Sequence, residues 1–222
     1  MAMIENIVKI WTKYDYVFIN GLFGTLWLAV VTVLLGTILG TLIAMMRMSR
    51  FKVLYGVTSA YIEVLRGTPS LLQLYFFWLL LPKVLPVDVS DTACIVVALI
   101  VNSSAYVAEI IRAGIQAVDK GQTEAAKSLG LSNRNTMRYI ILPQAVKNIL
   151  PALGNEFIIM VKETSLASVF FVGELMTAYK TVQSTTFLAI PTLTIVGIIY
   201  FIVNFVMSKL LKVLERRLQA SD

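Results

Sequence analysis

Glu63, Arg66, Glu109, Glu156, Lys162 and Glu163 stand in or at the ends of stretches that are otherwise apolar. In hydrocarbon such a side chain costs roughly 2.5 to 3.5 kcal/mol on insertion scales, so each needs a partner or a task. Glu63 and Arg66, three residues apart, can neutralise one another on one helical face. The following Gly67-Thr68-Pro69 favours a break, because Pro69 lacks an N–H and restricts Thr68, and a break exposes backbone poles that could line a pathway. Asn102, Tyr106 and Glu109 recur at i, i+4 and i+7, with Ser103 beside them, and so form one polar face. That face suits interhelical hydrogen bonds, worth roughly 0.6 kcal/mol each, or a polar path; the spacing leaves both open. Glu156 and Glu163 likewise fall near one stripe, with Lys162 about 100° around the helix from Glu163. The chemistry on offer is charge pairing and hydrogen bonding. With no histidine and a single cysteine, Cys94, a Ser-His-Asp triad, a His-ligated zinc, an intrachain disulfide and a cysteine cluster are excluded.

The elements that must hold these residues are membrane spans. The chain has 222 residues, 58% hydrophobic and 14% charged, where soluble domains carry about a quarter charged residues. Residues 21–46 and 181–208 contain no charge; as a helix the first would run about 39 Å, enough to cross a bilayer with some tilt. Three further spans hold the charges, giving five near residues 21–46, 54–81, 92–112, 147–172 and 187–210. With the N-terminus outside, thirteen Lys and Arg fall inside and only Lys9, Lys13, Lys83 and Lys180 outside, which orients the chain N-terminus out and C-terminus in. The net charge of +6 is then a topology and lipid signal rather than one for nucleic acid. Residues 1–18, with Trp11, Tyr14 and Tyr16, read as an amphipathic elbow on the outer surface. A transmembrane domain over 19–214 and a cytoplasmic tail over 215–222 complete the organisation. Gly36 and Gly40 suit close packing of the first span.

One extended segment is both polar and inside, the loop over residues 113–145. Thr123 can cap a short helix through Leu129, Gly130 is a natural left-handed stop, and Ser132 or Asn133 can cap a second helix. Within it Glu124-Ala125-Ala126, then Gly130, then Ile140 and Leu142-Pro143 match the EAA loop of the membrane-spanning subunits of ABC importers. Glu63-Val64-Leu65-Arg66-Gly67-Thr68-Pro69, Asn102-Ser103-Ser104-Ala105-Tyr106, Gly154-Asn155-Glu156-Phe157 and Lys162-Glu163-Thr164-Ser165-Leu166 resemble the polar amino acid branch of that family, which takes up histidine, glutamine and arginine. The resemblance spans roughly residues 17 to 218.

The resemblance implies an all-α type I importer permease of five transmembrane helices in a bacterial plasma membrane. It implies that the loop docks on a separate ATPase subunit, with Glu124, Ala125, Ala126 and Gly130 forming the coupling surface. ATP and magnesium would be held there and no cofactor by this chain, whose sequence has no Gly-x-x-x-x-Gly-Lys-Ser/Thr phosphate loop. The expected partners are ABC ATPase subunits, a second permease copy or a related permease, an extracellular solute-binding protein, the amino acid and the bilayer. The chain itself is expected not to be an enzyme. A translocated amino acid needs both its charges paired when water is excluded. Glu109, Glu156 and Glu163 would suit its ammonium or a basic side chain, and Asn102, Ser103, Thr164 and Ser165 its carboxylate, with Tyr106 on the same path. Glu63, Arg66 and Pro69 would be structural or gating residues. The rival readings are a self-sufficient ion-coupled carrier or channel, which leaves the EAA spacing unexplained, and a membrane scaffold whose loop only recruits a partner, which predicts that Glu109, Glu156 and Glu163 could be neutralised without loss of uptake.

Overall fold

The computed structural model describes residues 2–219, and over these the chain is helical with no strand. Helix α1, Ala2–Arg47, is 46 residues long, about 69 Å at 1.5 Å per residue. Residues 2–18, expected as part of a separate amphipathic segment over 1–18, are continuous with the first span in one helix, since no Gly or Pro interrupts residues 2–20. Small residues along one face of α1 let it sit close to the rest. A Cβ on Gly36 would lie 2.9 Å from Ser103 Oγ, and one on Gly40 would lie 2.7 Å from the Ser104 carbonyl, so these glycines admit the 26-residue α4, Asp91–Gln116.

Between them α2, Lys52–Gly67, and α3, Ser70–Val84, meet at 112°, with the break at the Thr68-Pro69 pair that the sequence marks. After α4 comes α5, Lys120–Ser128, then the single turn α6, Asn133–Asn135. A π-helical segment, Thr136–Ile141, leads into α7, Leu142–Glu163. The wide turn has a cause: Pro143 has no N–H and would crowd the carbonyl four residues back, and Leu142 N donates to Met137 O instead of to Arg138. A 3-10 segment, Thr164–Phe170, is followed by α8, Leu175–Thr186, and α9, Ala189–Gln219. The start of the expected tail at residue 215 therefore continues α9, and residues 220–222 lie outside the described residues.

Among the described residues three helices, α1, α4 and α9, are long and apolar enough to cross a membrane, and the bent pair α2 and α3 makes a fourth if taken as one span. Helix α7 has the length, 22 residues or about 33 Å, but Lys147, Asn148, Asn155, Glu156, Lys162 and Glu163 dilute its apolar character. The core is built where α1, α3, α4 and α7 meet, from Leu28, Leu74, Ile95, Leu99, Met160 and Phe170 among others. A second cluster joins Ile10 and Phe18 of α1 to Leu175, Val182 and Ile195 of α8 and α9. Phe23, Trp27, Leu34 and Ile38 on α1 and Phe201 and Phe205 on α9 point outward, the surface a bilayer or a membrane partner would cover.

Candidate functional site

A small, partly open cavity of about 110 Å³ lies among the helices, lined by Ser70 at the start of α3, Asn102 and Tyr106 of α4, and Glu156, Ile159, Met160 and Glu163 of α7. Four of the residues singled out by sequence spacing, Asn102, Tyr106, Glu156 and Glu163, thus share one space. They do so because α4 presents residues 102 and 106, one turn apart, to the α7 face that carries residues 156 and 163, two turns apart. Glu156 is 4% exposed, and Ser103, fully buried behind the wall, donates from Oγ to Glu156 Oε1 at 3.4 Å. Thr164 and Ser165 lie in the 3-10 segment beyond α7, and the buried Thr164 Oγ1 donates to Val161 O at 2.9 Å; neither lines the cavity.

Glu109 sits one turn below, outside the cavity lining. Its carboxylate is held by Arg47 of α1, whose Nη1 donates to Oε2 at 2.6 Å. Arg112 of its own helix adds an Nε bond to Oε2 at 3.0 Å and a second bond from Nη2 to Oε1. Arg66 of α2 stands at 3.8 Å, its guanidinium over the Tyr106 ring at 5.6 Å. The pairing between Glu63 and Arg66 that their spacing allowed does not form: Arg66 turns to the better-placed Glu109, and Glu63 is exposed. Three guanidiniums around one carboxylate tie together the ends of α1, α2 and α4.

A residue that sequence spacing did not single out, Gln73, organises the break beside the cavity. Its side chain is 6% exposed. Nε2 donates towards Leu65 O at 2.7 Å, Thr68 O at 3.2 Å and Thr68 Oγ1 at 2.8 Å, and Oε1 accepts from Asn102 Nδ2 at 2.8 Å. The signal that could have found it is a lone glutamine in the apolar run Leu71 to Leu81, four residues after Pro69.

The polar loop folds as two helices around a turn. Its first helix starts at Lys120 rather than after Thr123, because Asp119 provides the cap, its Oδ1 accepting from Gly121 N at 2.7 Å. Gly130 has φ +81°, and bonds from Leu131 N to Ala126 O and from Gly130 N to Lys127 O close the helix as a Schellman turn. Ser132 caps the next helix through Asn135 N. Glu124, Ala125 and Gly130 are exposed, whereas Ala126 is 4% exposed and packs inward. Leu129, 81% exposed, stands beside Gly130 as an uncovered apolar side chain.

Residues 33–220 match the family described as binding-protein-dependent transport system inner membrane component. The chain is 39% identical over 204 residues to the arginine transport system permease protein ArtQ of Bacillus subtilis (strain 168), covering 92% of this chain and 93% of that one. It is 37% identical over 202 residues to the glutamine transport system permease protein GlnP of Escherichia coli (strain K12), covering 90% and 92%. Among solved structures, that of an amino acid ABC transporter with histidines aligns at a TM-score of 0.89 and 48% identity over 93% of this chain and 96% of that one. The inward-facing MetNI methionine ABC transporter, at 18% identity and a TM-score of 0.67 over 90% and 97%, shares the fold. With this helical arrangement and a match over most of its length, the chain belongs to the inner membrane components of binding-protein-dependent transport systems and has the type I ABC importer permease fold.

Proposed function

We propose that this chain is the permease subunit of an ATP-driven importer for a polar or cationic amino acid. The observation that carries the reading is the cavity in which Glu156 and Glu163 face Asn102 and Tyr106 inside an otherwise apolar bundle. Two carboxylates lining one small cavity favour a ligand that brings positive charge or several N–H donors. The names of the relatives agree in kind, since arginine and glutamine both end in N–H donors. Glu109 serves the path indirectly on this reading, by holding Arg47, Arg66 and Arg112 at its inner end.

In this proposal α1, the bent pair α2 and α3, α4, α7 and α9 make five crossings of a bacterial plasma membrane, N-terminus out and C-terminus in. The coupling surface is α5 with its Gly130 turn: exposed Glu124 and Ala125, with Leu129 at the corner, dock on a separate ATPase that holds ATP and magnesium. Ala126 supports this surface from within, where a larger side chain would lift α5 off the structure beneath. Movement of α5 reaches the cavity through α4, which ends at Gln116 just ahead of α5 and carries Glu109, Tyr106 and Asn102. A second permease, identical or related, completes the enclosed path, and an extracellular solute-binding protein delivers the amino acid.

The test is uptake of a panel of the twenty amino acids into liposomes holding the permease, its ATPase and its binding protein. Uptake that requires ATP and binding protein, and that falls when Glu156 and Glu163 are both changed to Gln, supports the proposal. Uptake by the permease alone, driven by an ion gradient, would make it a carrier. Uptake indifferent to both carboxylates would remove the cavity from the path.

A further inference from the structure

The break between α2 and α3 leaves a backbone problem that Gln73 solves. In an unbroken helix the Leu65 carbonyl would accept from the N–H four residues on, but that residue is Pro69, which has none. Gln73 Nε2, at 2.7 Å, supplies the missing donor and also reaches the Thr68 carbonyl at 3.2 Å. Thr68 Oγ1 gives its own proton to Val64 O, so towards Gln73 it too acts as an acceptor. Every group around this amide nitrogen accepts, and the two carbonyls cannot do otherwise, so the Gln73 amide has a single permitted orientation. Its Oε1 must then face Asn102, which meets it with Nδ2 at 2.8 Å. With its nitrogen anchored, Asn102 has its Oδ1 as the free end, and no described residue donates to that oxygen. Asn102 lines the cavity with Glu156 and Glu163.

We propose that Gln73 is a positioning residue that, by satisfying the broken end of α2, fixes the polarity of Asn102 so that the cavity meets its ligand with hydrogen-bond acceptors from Asn102, Glu156 and Glu163. The site then selects for N–H-rich cationic groups, guanidinium or ammonium, by hydrogen-bond direction as well as by charge. Reversing Asn102 would offer a donor where the ligand also has donors, and an unpaired buried polar group discriminates strongly. This inference rests on the cavity being the substrate site of the proposed importer.

The experiment is calorimetric binding of L-arginine and L-citrulline to the purified permease–ATPase complex without the binding protein. Citrulline keeps the shape of arginine but replaces one guanidinium nitrogen with a carbonyl oxygen. The readout is the ratio of the two affinities, which a general loss of structure does not change. Wild type is expected to prefer arginine, and Gln73→Leu to lose roughly fivefold or more of that preference, the scale of one hydrogen bond in a buried site. Asn102→Ala, which leaves the Gln73 clasp intact, is expected to lose as much, and the double variant to lose no more than either alone. Equal weakening of both ligands in Gln73→Leu, with the ratio unchanged, would reduce Gln73 to a structural role. A wild-type ratio in Asn102→Ala would overturn the proposal even if Gln73→Leu failed to assemble. A wild-type complex that binds neither probe would also overturn it, while the amino acid uptake panel would decide the transport reading separately.

Discussion

Glu109 and Glu156 are carboxylates on facing helices of the bundle, yet their surroundings give them opposite tasks. Glu109 meets three guanidiniums; Glu156 has one hydroxyl donor at 3.4 Å and a cavity in front of it. Replacing Glu109 by Gln would leave Arg47, with a side chain 15% exposed, and Arg112, at 28%, without their counter-charge. The expected cost is about 2 to 3 kcal/mol, below the roughly 3 to 5 kcal/mol of a fully buried broken pair because water still reaches Arg112 and Arg66. Thermal unfolding of the assembled complex should rank the losses Glu109→Gln, then Arg47→Gln, then Arg66→Gln; equal losses would contradict the arrangement. Glu156→Gln should leave unfolding little changed and lower the uptake of a cationic substrate by roughly tenfold or more, as expected for a lost charge-assisted contact. The candidate residues were visible in the sequence as charges in apolar runs, because burying such a group demands a reason. Which reason applied was not visible, since Arg47 reaches Glu109 across 62 positions and no local periodicity records that pairing.

Helix contacts in this molecule depend on backbone approaching backbone. A Cβ on Gly24 of α1 would lie 1.9 Å from the carbonyl of Gly173 just before α8, a distance that no rotamer change relieves. Gly24→Ala is therefore expected to separate α1 from the start of α8 and to lower the melting temperature of the complex by several degrees, corresponding to roughly 2 kcal/mol of overpacking. An unchanged melting temperature would show that the two elements do not pack this way. At the same junction Glu174, 1% exposed, caps α8 through Met176 N at 2.7 Å and Thr177 N at 2.6 Å and accepts from Tyr200 of α9 at 3.2 Å. Burial pushes its carboxyl above the ordinary range, and the hydrogen bonds offset only part of that rise. The folded state thus holds this proton more tightly than the unfolded state. Its stabilising contribution is complete below the ordinary carboxylate pKa and is lost as pH rises through the raised folded value. Glu174→Gln should therefore gain on wild type in melting temperature as pH rises above the ordinary carboxylate range; a gap that narrows as pH rises would contradict the assignment. Local chemistry announced the break at Pro69 and the stop at Gly130, and narrowed the next cap to Ser132 or Asn133. It did not announce Asp119, because two competent caps, Asp119 and Thr123, lie within one turn and tertiary packing decides between them. The continuity of α1 was legible in the absence of any breaker, but the aromatic residues near its start also fit a surface elbow.

For the whole molecule, the apolar composition and the long uncharged runs made the membrane class and helical fold readable in the residues themselves. The match between Glu124, Ala125, Ala126, Gly130 and the distant Leu142-Pro143 made the resemblance to an EAA loop readable as well; its coupling to an ATPase belongs to the proposed function. Periodicity could not reveal how the helices surround a cavity, because that depends on the 112° turn between α2 and α3 and on Gln73 holding its broken end. In the proposed function, polar groups lining the cavity face the substrate, and an exposed helix corner at Glu124, Leu129 and Gly130 receives the force. The central claim is that this corner couples an external ATPase to the cavity. Its most direct test is amino acid-stimulated ATP hydrolysis in liposomes containing the permease, the ATPase and the binding protein, comparing wild type with Glu124→Arg and Gly130→Asp. Both variants are expected to assemble with the ATPase and to lose the stimulation while basal hydrolysis persists. Full stimulation in both variants, or uptake that proceeds without any ATPase, would contradict it.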